Sequence, residues 1–151
     1  MNDETLSRHC KLDFFKGSGN GGQKRNKTSS AVRVQLSETD FVATDCSERS
    51  QHRNRANALA KLRRAIAYGE RLTPPSAPDH LECALDHPDY PLYLAHLLDI
   101  ADAVNYDHRS IADFLGCTPS ALLKKFARDP ELWQFINANR VKRGLTSLKA
   151  P

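Results

Sequence analysis

The sequence lacks any apolar run of about 18 residues, the length that a membrane-spanning helix needs. It also lacks closely spaced cysteine pairs, because its four cysteines lie far apart along the chain. Scattered cysteines favour isolated thiols over a disulfide framework or a zinc site, and we expect neither a metal nor another cofactor. The acidic first residues precede no apolar stretch, so we expect no secretory signal and a cytoplasmic protein.

Positive charge is concentrated towards the two ends of the chain, although the net charge is only +4. Residues 1–72 contain 14 Lys and Arg against 8 Asp and Glu, and residues 114–151 contain 7 against 2. Between these parts, residues 73–113 contain one Arg and 8 acidic residues. A basic N-terminal part indicates a polyanionic partner, most simply nucleic acid, with a solvated basic surface as the alternative that charge alone leaves open.

Four of the seven glycines lie between Gly17 and Gly22, in the stretch Gly-Ser-Gly-Asn-Gly-Gly. Glycine accepts a positive φ and lets the backbone approach a ligand closely. The next six residues, 23–28, carry amide, cationic and hydroxyl side chains. The stretch therefore predicts a loop that presents main-chain N–H groups to an anion.

Two phosphate-binding motifs match these glycines loosely, and both fail at the residues around the glycines. A dinucleotide fingerprint needs a buried strand before the glycines and a helix directly after them. Here residues 11–16 are too polar for a central parallel strand, and the next long element is the alternating stretch 31–36. A P-loop needs Lys directly after the last glycine, but Gln23 intervenes and Arg25 stands in the magnesium-binding position.

Hydrophobic periodicity predicts an α+β domain over residues 1–72. Three short alternating stretches are typical of strands, the last two forming a hairpin: 11–16, 31–36 and 41–44. A helical pattern over residues 51–68 follows an N-cap at Ser50 and stops at Gly69. Its predicted apolar face contains Ala56, Leu59, Leu62 and Ile66. We expect a small antiparallel or mixed sheet packed on this long helix, with the glycine loop projecting from it.

A proline-rich linker at residues 73–78 precedes a helical part that comprises residues 79–151. Three prolines within five positions make the linker stiff and non-helical. Four helical patterns follow, at residues 91–104, 108–115, 119–127 and from 130 to before Gly144. The last two begin with an N-cap residue and a first-turn proline, Thr118-Pro119 and Asp129-Pro130. We therefore expect a small all-α domain after the linker.

Several ordered motifs give the N-terminal domain a strong resemblance to a known family. Gly-Ser-Gly-Asn-Gly-Gly-Gln at 17–23 is followed by Asn-Lys-Thr at 26–28, Ser-Ala-Val-Arg at 30–33 and Glu-Arg-Ser-Gln-His-x-Asn at 48–54. In content and order they resemble the catalytic, GGQ-containing domain of bacterial-type class I peptide chain release factors. The resemblance covers about residues 11–68 and implies a compact α/β domain with the GGQ loop at its tip.

The resemblance also implies a chemistry: hydrolysis of the ester that joins the nascent peptide to tRNA, inside the ribosomal peptidyl transferase centre. Gly21, Gly22 and Gln23 would then be the catalytic residues. The main-chain N–H of Gln23 would stabilise the developing oxyanion, a contribution of roughly 3–4 kcal/mol. Its side chain would position the attacking water, and ribosomal RNA and the peptidyl-tRNA would complete the site. In decoding members of the family the matching glutamine is methylated, which makes a methyltransferase acting on Gln23 an expected partner.

Cations near the glycines are predicted to contact RNA phosphates, with an ordinary solvated surface as the alternative for each. These residues are Lys24, Arg25, Lys27 and Arg33. Arg49 and His52 belong to the second family motif, together with Gln51 and Asn54, and either touch RNA or attach the helix to the sheet. Arg25 departs from the small or aliphatic residue that release factors commonly have at this place, but the departure leaves the catalytic triplet intact.

Nothing in the sequence matches the domains with which decoding release factors read stop codons, so we expect codon-independent hydrolysis of the ribosome-rescue type, carried out by a monomer. Small rescue factors usually end in a flexible tail rich in Lys and Arg. Residues 73–151 have the pattern of a folded domain instead, which argues against rescue of the tailed kind.

The helical part contains a stretch, residues 111–126, whose apolar and glycine positions have the spacing of a helix-turn-helix. This pattern has two interpretations. In one, the unit docks on nucleic acid or the ribosome through the cations Lys124, Lys125 and Arg128. In the other, it is a small helical bundle whose turn merely has the same geometry. The alternative function for the whole chain is a non-catalytic nucleic-acid-binding or regulatory protein. An intact Gly21-Gly22-Gln23 favours the hydrolase, because a binding module has no need of it.

Overall fold

The computed structural model describes residues 3–16, 30–75 and 83–151, and it divides into two compact units, Met1–Gly69 and Glu70–Pro151. The elements of the first unit are α1 (Asp3–Arg8), β1 (Cys10–Phe15), β2 (Ala31–Leu36), β3 (Val42–Asp45) and α2 (Gln51–Gly69). Those of the second are α3 (Tyr90–Ala103), α4 (His108–Phe114), α5 (Pro119–Ala127) and α6 (Pro130–Lys142). The predicted α+β fold class, with a helical C-terminal unit, is confirmed.

The three strands form one antiparallel sheet in the order β1-β2-β3. Cys10 pairs with Leu36 at one end of the β1–β2 ladder, and Phe15 pairs with Ala31 at the other. Residues 16–30 therefore connect two neighbouring strands whose ends are already held side by side. Of the antiparallel and mixed sheets that the sequence allowed, the antiparallel one is present.

Helix α2 packs on one face of this sheet and closes the core of the first unit. Val32 and Val34 of β2 are fully buried in the same cluster as three residues of the helix, Ala58, Leu59 and Leu62. The predicted apolar face of α2 was wrong at one position, since Ala56 is exposed, and Asn54 and Ala58 are buried instead. Leu6 of α1, a helix that the sequence pattern did not predict, is 1% exposed and completes the core.

The second unit is a helical bundle whose interior is apolar except for three buried charged residues, Asp99, Asp129 and Arg140. Asp129 caps α6 by accepting hydrogen bonds from the N–H groups of Glu131 and Leu132, and it also accepts one from the Tyr90 hydroxyl at 2.6 Å. Asp99 accepts a hydrogen bond at 2.9 Å from the N–H of Leu72, which attaches the start of the unit to α3. Each buried carboxylate therefore has the partners that burial requires.

Arg140 fixes the connection between α3 and α4, where Asn105 and Tyr106 both have positive φ. Its guanidinium donates to the main-chain oxygens of Tyr106 and Thr146. Consecutive non-glycine residues at positive φ are strained, and they persist where surrounding contacts determine them. Arg140 supplies two such contacts. Within the described ranges, no helix is both long and apolar enough to cross a membrane.

Candidate functional site

The predicted catalytic residues Gly21, Gly22 and Gln23 lie outside the described residues, as do the predicted RNA contacts Lys24, Arg25 and Lys27. Their roles stay predictions. The structure describes the two ends of the segment that contains them, the Phe15–Ala31 pair and the preceding residue Ser30. Those ends determine where the segment leaves and rejoins the sheet.

The end at Ser30 is held by Asn54, a residue in the second turn of α2. Asn54 is fully buried, and its Nδ2 donates to the main-chain oxygen of Ser30 at 2.7 Å. The same nitrogen donates to the main-chain oxygen of Glu48 at 2.9 Å, and Oδ1 accepts from the N–H of Glu48 at 2.8 Å. One amide therefore joins three parts of the first unit: the end of β2, the turn before α2, and α2 itself.

The turn before α2 is held a second time, through Asp45 at the end of β3. Oδ1 of Asp45 accepts from the N–H and the hydroxyl of Ser47 at 2.8 and 2.7 Å, and Oδ2 lies 2.8 Å from Nζ of Lys61. Burial would raise the pKa of Asp45, but the hydrogen bonds from Lys61 and Ser47 outweigh it and lower that pKa. Asp45 is therefore ionised at neutral pH and fixes the turn as a carboxylate.

Arg33, a predicted RNA contact, is exposed in the middle of β2. Its guanidinium carbon lies 5.5 Å from the centroid of the Phe15 ring, within cation–π range. Asp13 stands directly opposite Arg33 in the ladder. Arg33 thus lies near the base of the segment 17–29, with its guanidinium beside the Phe15 ring.

Arg49 and His52 flank the first residues of α2, and both are exposed. His52 lines a shallow surface cleft of about 290 Å³ together with Glu4, Arg55, Ala56 and Leu59. Because α2 packs on the face of the sheet that carries Val32 and Val34, Arg33 projects from the opposite face. The structure therefore places Arg49 and His52 at the start of one helix, but it does not bring Arg33 together with them.

Sequence reasoning left open whether the second family motif touches RNA or attaches the helix to the sheet. For Asn54 the structure decides this point: its amide makes three hydrogen bonds inside the first unit. The signal that could have identified it was its position, since Asn54, Ala58 and Leu62 are spaced by four residues and share one helix face. Because its side chain is polar, a search for apolar periodicity does not count that position.

In the second unit, α4 and α5 are joined by a short turn in which Gly116 has φ +62°. Thr118 caps α5, because its hydroxyl accepts from the N–H of Ala121. Five apolar positions of the helix-turn-helix pattern are buried, and Ala121 is half-buried: Ile111, Ala112, Leu115, Leu122 and Phe126. Ser120, Lys124 and Arg128 are exposed at four-residue spacing along α5, whereas Lys125 is half-buried.

No group of three or more His, Cys, Asp and Glu side chains placed to hold a metal ion occurs in the described parts of the chain. The four cysteines form no disulfide with one another, and all four are half-buried. Burial raises the pKa of the Cys10 and Cys83 thiols above the ordinary value, with a further contribution from Asp89 at Cys83. Neither thiol is therefore activated as a nucleophile.

Comparison with known proteins identifies the first unit. The family model of the RF-1 domain matches residues 4–80, half of the chain. Peptide chain release factor 2 of Burkholderia pseudomallei (strain 1106a) is 42% identical over 72 residues, which are 48% of this chain and 20% of that protein. Peptide chain release factor 1 of Acidiphilium cryptum (strain JF-5) is 51% identical over 65 residues, 43% of this chain and 18% of that protein.

Peptide chain release factor 1 of Xylella fastidiosa (strain 9a5c) is 44% identical over 61 residues, 40% of this chain and 17% of that protein. The chain thus spans about a fifth of the length of the curated relatives it matches. No solved structure matches it at a significant level. The matched residues include the segment with Gly21-Gly22-Gln23, the three strands and α2, and on this evidence the chain belongs to the RF-1 domain family, the family of the class I release factor GGQ domain.

Proposed function

We propose that this protein hydrolyses the ester bond of peptidyl-tRNA in the ribosomal peptidyl transferase centre. The observation that carries the proposal is the intact Gly21-Gly22-Gln23 inside residues 4–80, the part of the chain that matches the RF-1 domain. The relatives that share this part are named peptide chain release factors. These names support translation termination, in the broad sense, as the process in which the first unit acts.

The proposed mechanism uses the backbone and the side chain of Gln23 for different tasks. Water attacks the ester carbonyl, and the main-chain N–H of Gln23 stabilises the resulting oxyanion, as oxyanion-hole donors do. The Gln23 amide side chain orients the water, while Gly21 and Gly22 allow the backbone to come close to the substrate. A partner methyltransferase that modifies the Gln23 side chain would act at the same position.

Codon-independent action is part of the proposal. The part that matches the relatives is about a fifth of their length, and it contains the proposed catalytic triplet Gly21-Gly22-Gln23. We propose that the first unit catalyses release without reading a codon. The catalytic segment would bind phosphates of ribosomal RNA through Lys24, Arg25 and Lys27. Further RNA contacts would come from residues outside the segment, namely Arg33, Arg49 and His52.

The test is release of labelled peptide from ribosome-bound peptidyl-tRNA with no stop codon in the A site, on intact, stalled and split ribosomes. Wild-type protein is expected to release peptide. Gln23→Pro, which removes the main-chain N–H, and Gly22→Ala, which crowds the backbone, are expected to lower the rate at least about a hundredfold. Gln23→Ala keeps that N–H and loses only the amide that orients the water, so its rate should fall less. Ser18→Ala, in the same segment, serves as the matched control and keeps the wild-type rate. Absence of release by wild-type protein on all three substrates would rule out the proposed function.

For the helical unit we propose docking on ribosomal RNA through α5. The buried positions of the helix-turn-helix pattern and the exposed series Ser120, Lys124 and Arg128 support this role. The sequence of α5 contains no acidic residue, so its exposed face carries positive charge without internal neutralisation. Such a face fits a phosphate backbone.

Charge reversal separates this docking from general electrostatic attraction. The double variant Lys124→Glu/Arg128→Glu should weaken ribosome binding, whereas Lys142→Glu/Lys149→Glu makes the same change in net charge at exposed residues off α5. Equal loss in both would show that only net charge matters. Ribosome binding by wild-type protein without any peptide release would favour the alternative, a non-catalytic nucleic-acid-binding or regulatory protein, and preferential binding to duplex DNA would favour a regulator.

A further inference from the structure

We propose that Asn54 is a positioning residue for the catalytic segment, a role that rests on the proposed function of Gly21-Gly22-Gln23. Asn54 touches none of the reacting atoms in this proposal. It acts through Ser30, whose main-chain oxygen it holds at 2.7 Å, immediately after the segment 17–29. By fixing that point, Asn54 fixes the direction in which the segment rejoins the sheet.

The surroundings of Asn54 show that this contact is specific. Its neighbours in the first turns of α2, Gln51, His52, Arg53 and Arg55, are all exposed, whereas Asn54 is fully buried. Both Nδ2 hydrogens are used, one for Ser30 and one for Glu48, and Oδ1 accepts from the N–H of Glu48. The side chain supplies a donor to the buried main-chain oxygen of Ser30, and a donor and an acceptor to the partly buried main-chain groups of Glu48.

Neither aspartate nor alanine meets these requirements at this position. Aspartate has the same size but offers an acceptor where two carbonyl oxygens need donors, and alanine leaves three main-chain polar groups without their partner. The amide also ties the catalytic segment to the second family motif, since Glu48 lies in the turn that carries Arg49. Two stretches predicted separately from the sequence are therefore joined through one side chain.

The geometry of the sheet explains why this end needs a separate contact. Phe15 and Ala31 form the last pair of the β1–β2 ladder, so Ser30 is the first residue beyond sheet pairing on the return side. Catalytic groups carried on a loop are as precise as the rigid elements that hold its ends. The bond from Asn54 extends the rigid part of the chain by one residue towards Gln23.

A matched control variant distinguishes a positioning role of Asn54 from a role in stabilising the fold alone. Leu62 is buried on the same helix two turns further along and packs in the core without touching Ser30. Leu62→Ala therefore destabilises the first unit without changing the base of the catalytic segment. Asn54→Ala and Asn54→Asp change both.

The experiment measures codon-free peptide release at a temperature at which circular dichroism shows every variant to be folded. Asn54→Ala is expected to lower the maximal rate about a hundredfold at saturating protein, the size of effect that a small misplacement produces, with little change in the half-saturating concentration. Leu62→Ala is expected to keep the wild-type rate per folded molecule. A wild-type rate for Asn54→Ala, or an equal loss in Leu62→Ala, overturns the proposal.

Hydrogen exchange gives a second readout that does not depend on activity. In Asn54→Ala, faster exchange should be confined to residues 16–31 and 46–50, whereas Leu62→Ala should accelerate exchange throughout the first unit. If wild-type protein releases no peptide, the proposed function fails. The exchange pattern still tests the claim that Asn54 holds the base of the segment. Uniform acceleration in Asn54→Ala contradicts it. Asn54→Ser, which keeps one donor, replaces Asn54→Ala if that variant does not fold.

Discussion

The ring of Phe41 lies where a side chain on Gly69 would begin. A Cβ placed on Gly69, the last residue of α2, would stand 2.5 Å from both Cε1 and Cζ of Phe41. Phe41 packs against the core cluster from the turn before β3. Glycine at the end of α2 is therefore a condition for close packing, in addition to its ordinary use as a helix stop.

Gly69→Ala should destabilise the first unit by about 1–2 kcal/mol, because the cost of overpacking exceeds the helix propensity that alanine gains. In a Phe41→Ala background the same substitution should be neutral or stabilising, since the ring has been removed. Native-state hydrogen exchange at Val34 reports the free energy of unfolding of this unit. Equal effects of Gly69→Ala in the two backgrounds would mean that the ring is not the obstacle.

The Asp45 carboxylate should make the stability of the first unit dependent on acid pH. Its folded-state pKa is lower than its ordinary value of 3.8, so the stabilisation is present above the unfolded-state pKa. It is lost as the pH falls from about 4 through the folded-state pKa. Asp45→Asn should be less stable than wild type at pH 7, and the difference should shrink towards pH 3.

Urea unfolding followed by far-ultraviolet circular dichroism at pH 7, 4 and 3 measures that difference. Comparing variant with wild type at each pH cancels the titration of the helical unit, which is the same in both proteins. Leu62→Ala removes apolar packing and no charge, and it serves as the control, with a destabilisation that stays the same at the three pH values. A constant difference for Asp45→Asn would refute the assigned role of the carboxylate.

Among the cations of the helical unit, Arg140 should be the one whose substitution lowers the free energy of unfolding most. Its side chain is 4% exposed and donates to the main-chain oxygens of Tyr106 and Thr146. Arg140→Met keeps much of the apolar volume but leaves both oxygens without this donor, at a cost of about 3 kcal/mol. The single tryptophan, Trp133, lies on the same helix, so its fluorescence reports unfolding of this unit.

Lys142→Met removes an exposed cation two residues away on α6 and is expected to change the free energy of unfolding by less than about 0.5 kcal/mol. Arg140→Lys should lie between the two, because an ammonium group cannot reproduce the planar fork of donors. If Arg140→Met and Lys142→Met were equally stable, the two carbonyl contacts would contribute nothing.

Lys24 and Arg25 should contribute to ribosome binding rather than to the chemical step. The double variant Lys24→Ala/Arg25→Ala is expected to raise the protein concentration needed for half-maximal release and to leave the rate at saturation unchanged. For each phosphate that is no longer bound, the dependence of log binding constant on log salt concentration should also fall by about 0.7. Lys142→Ala/Lys149→Ala, with the same change in charge, is the control, and a reduced rate at saturation would argue against a binding role.

Local pattern predicted most of the secondary structure because strand alternation, helix caps and helix stops act within a few residues. Thr118 and Asp129 cap α5 and α6 as their sequence context indicated. The six-residue helix α1 was missed because so short a segment shows no periodicity. It is held by Leu6, which packs into the core, and by Ser7, whose hydroxyl accepts a hydrogen bond from Arg55 of α2.

The contacts that shape the candidate site could not be read from the sequence for a different reason. Asn54 and Ser30 are 24 residues apart, and the partner of a buried amide is defined by the fold rather than by spacing. The same holds for Gly69 and Phe41, whose close approach has no local signature. Arg33 was predicted from its charge and its place in the family motif, and its position beside Phe15 depends on strand register.

The Phe15–Ala31 pair affects how far the length and sequence of the segment between these residues can vary. The strands meet before the catalytic segment starts, and in the loop-closure relation a connection of twice the length between Phe15 and Ala31 costs about 0.6 kcal/mol more. Pairing of β1 with β2 therefore tolerates a change in the length of that connection. Selection on the proposed reaction, rather than strand pairing, would preserve Gly21-Gly22-Gln23.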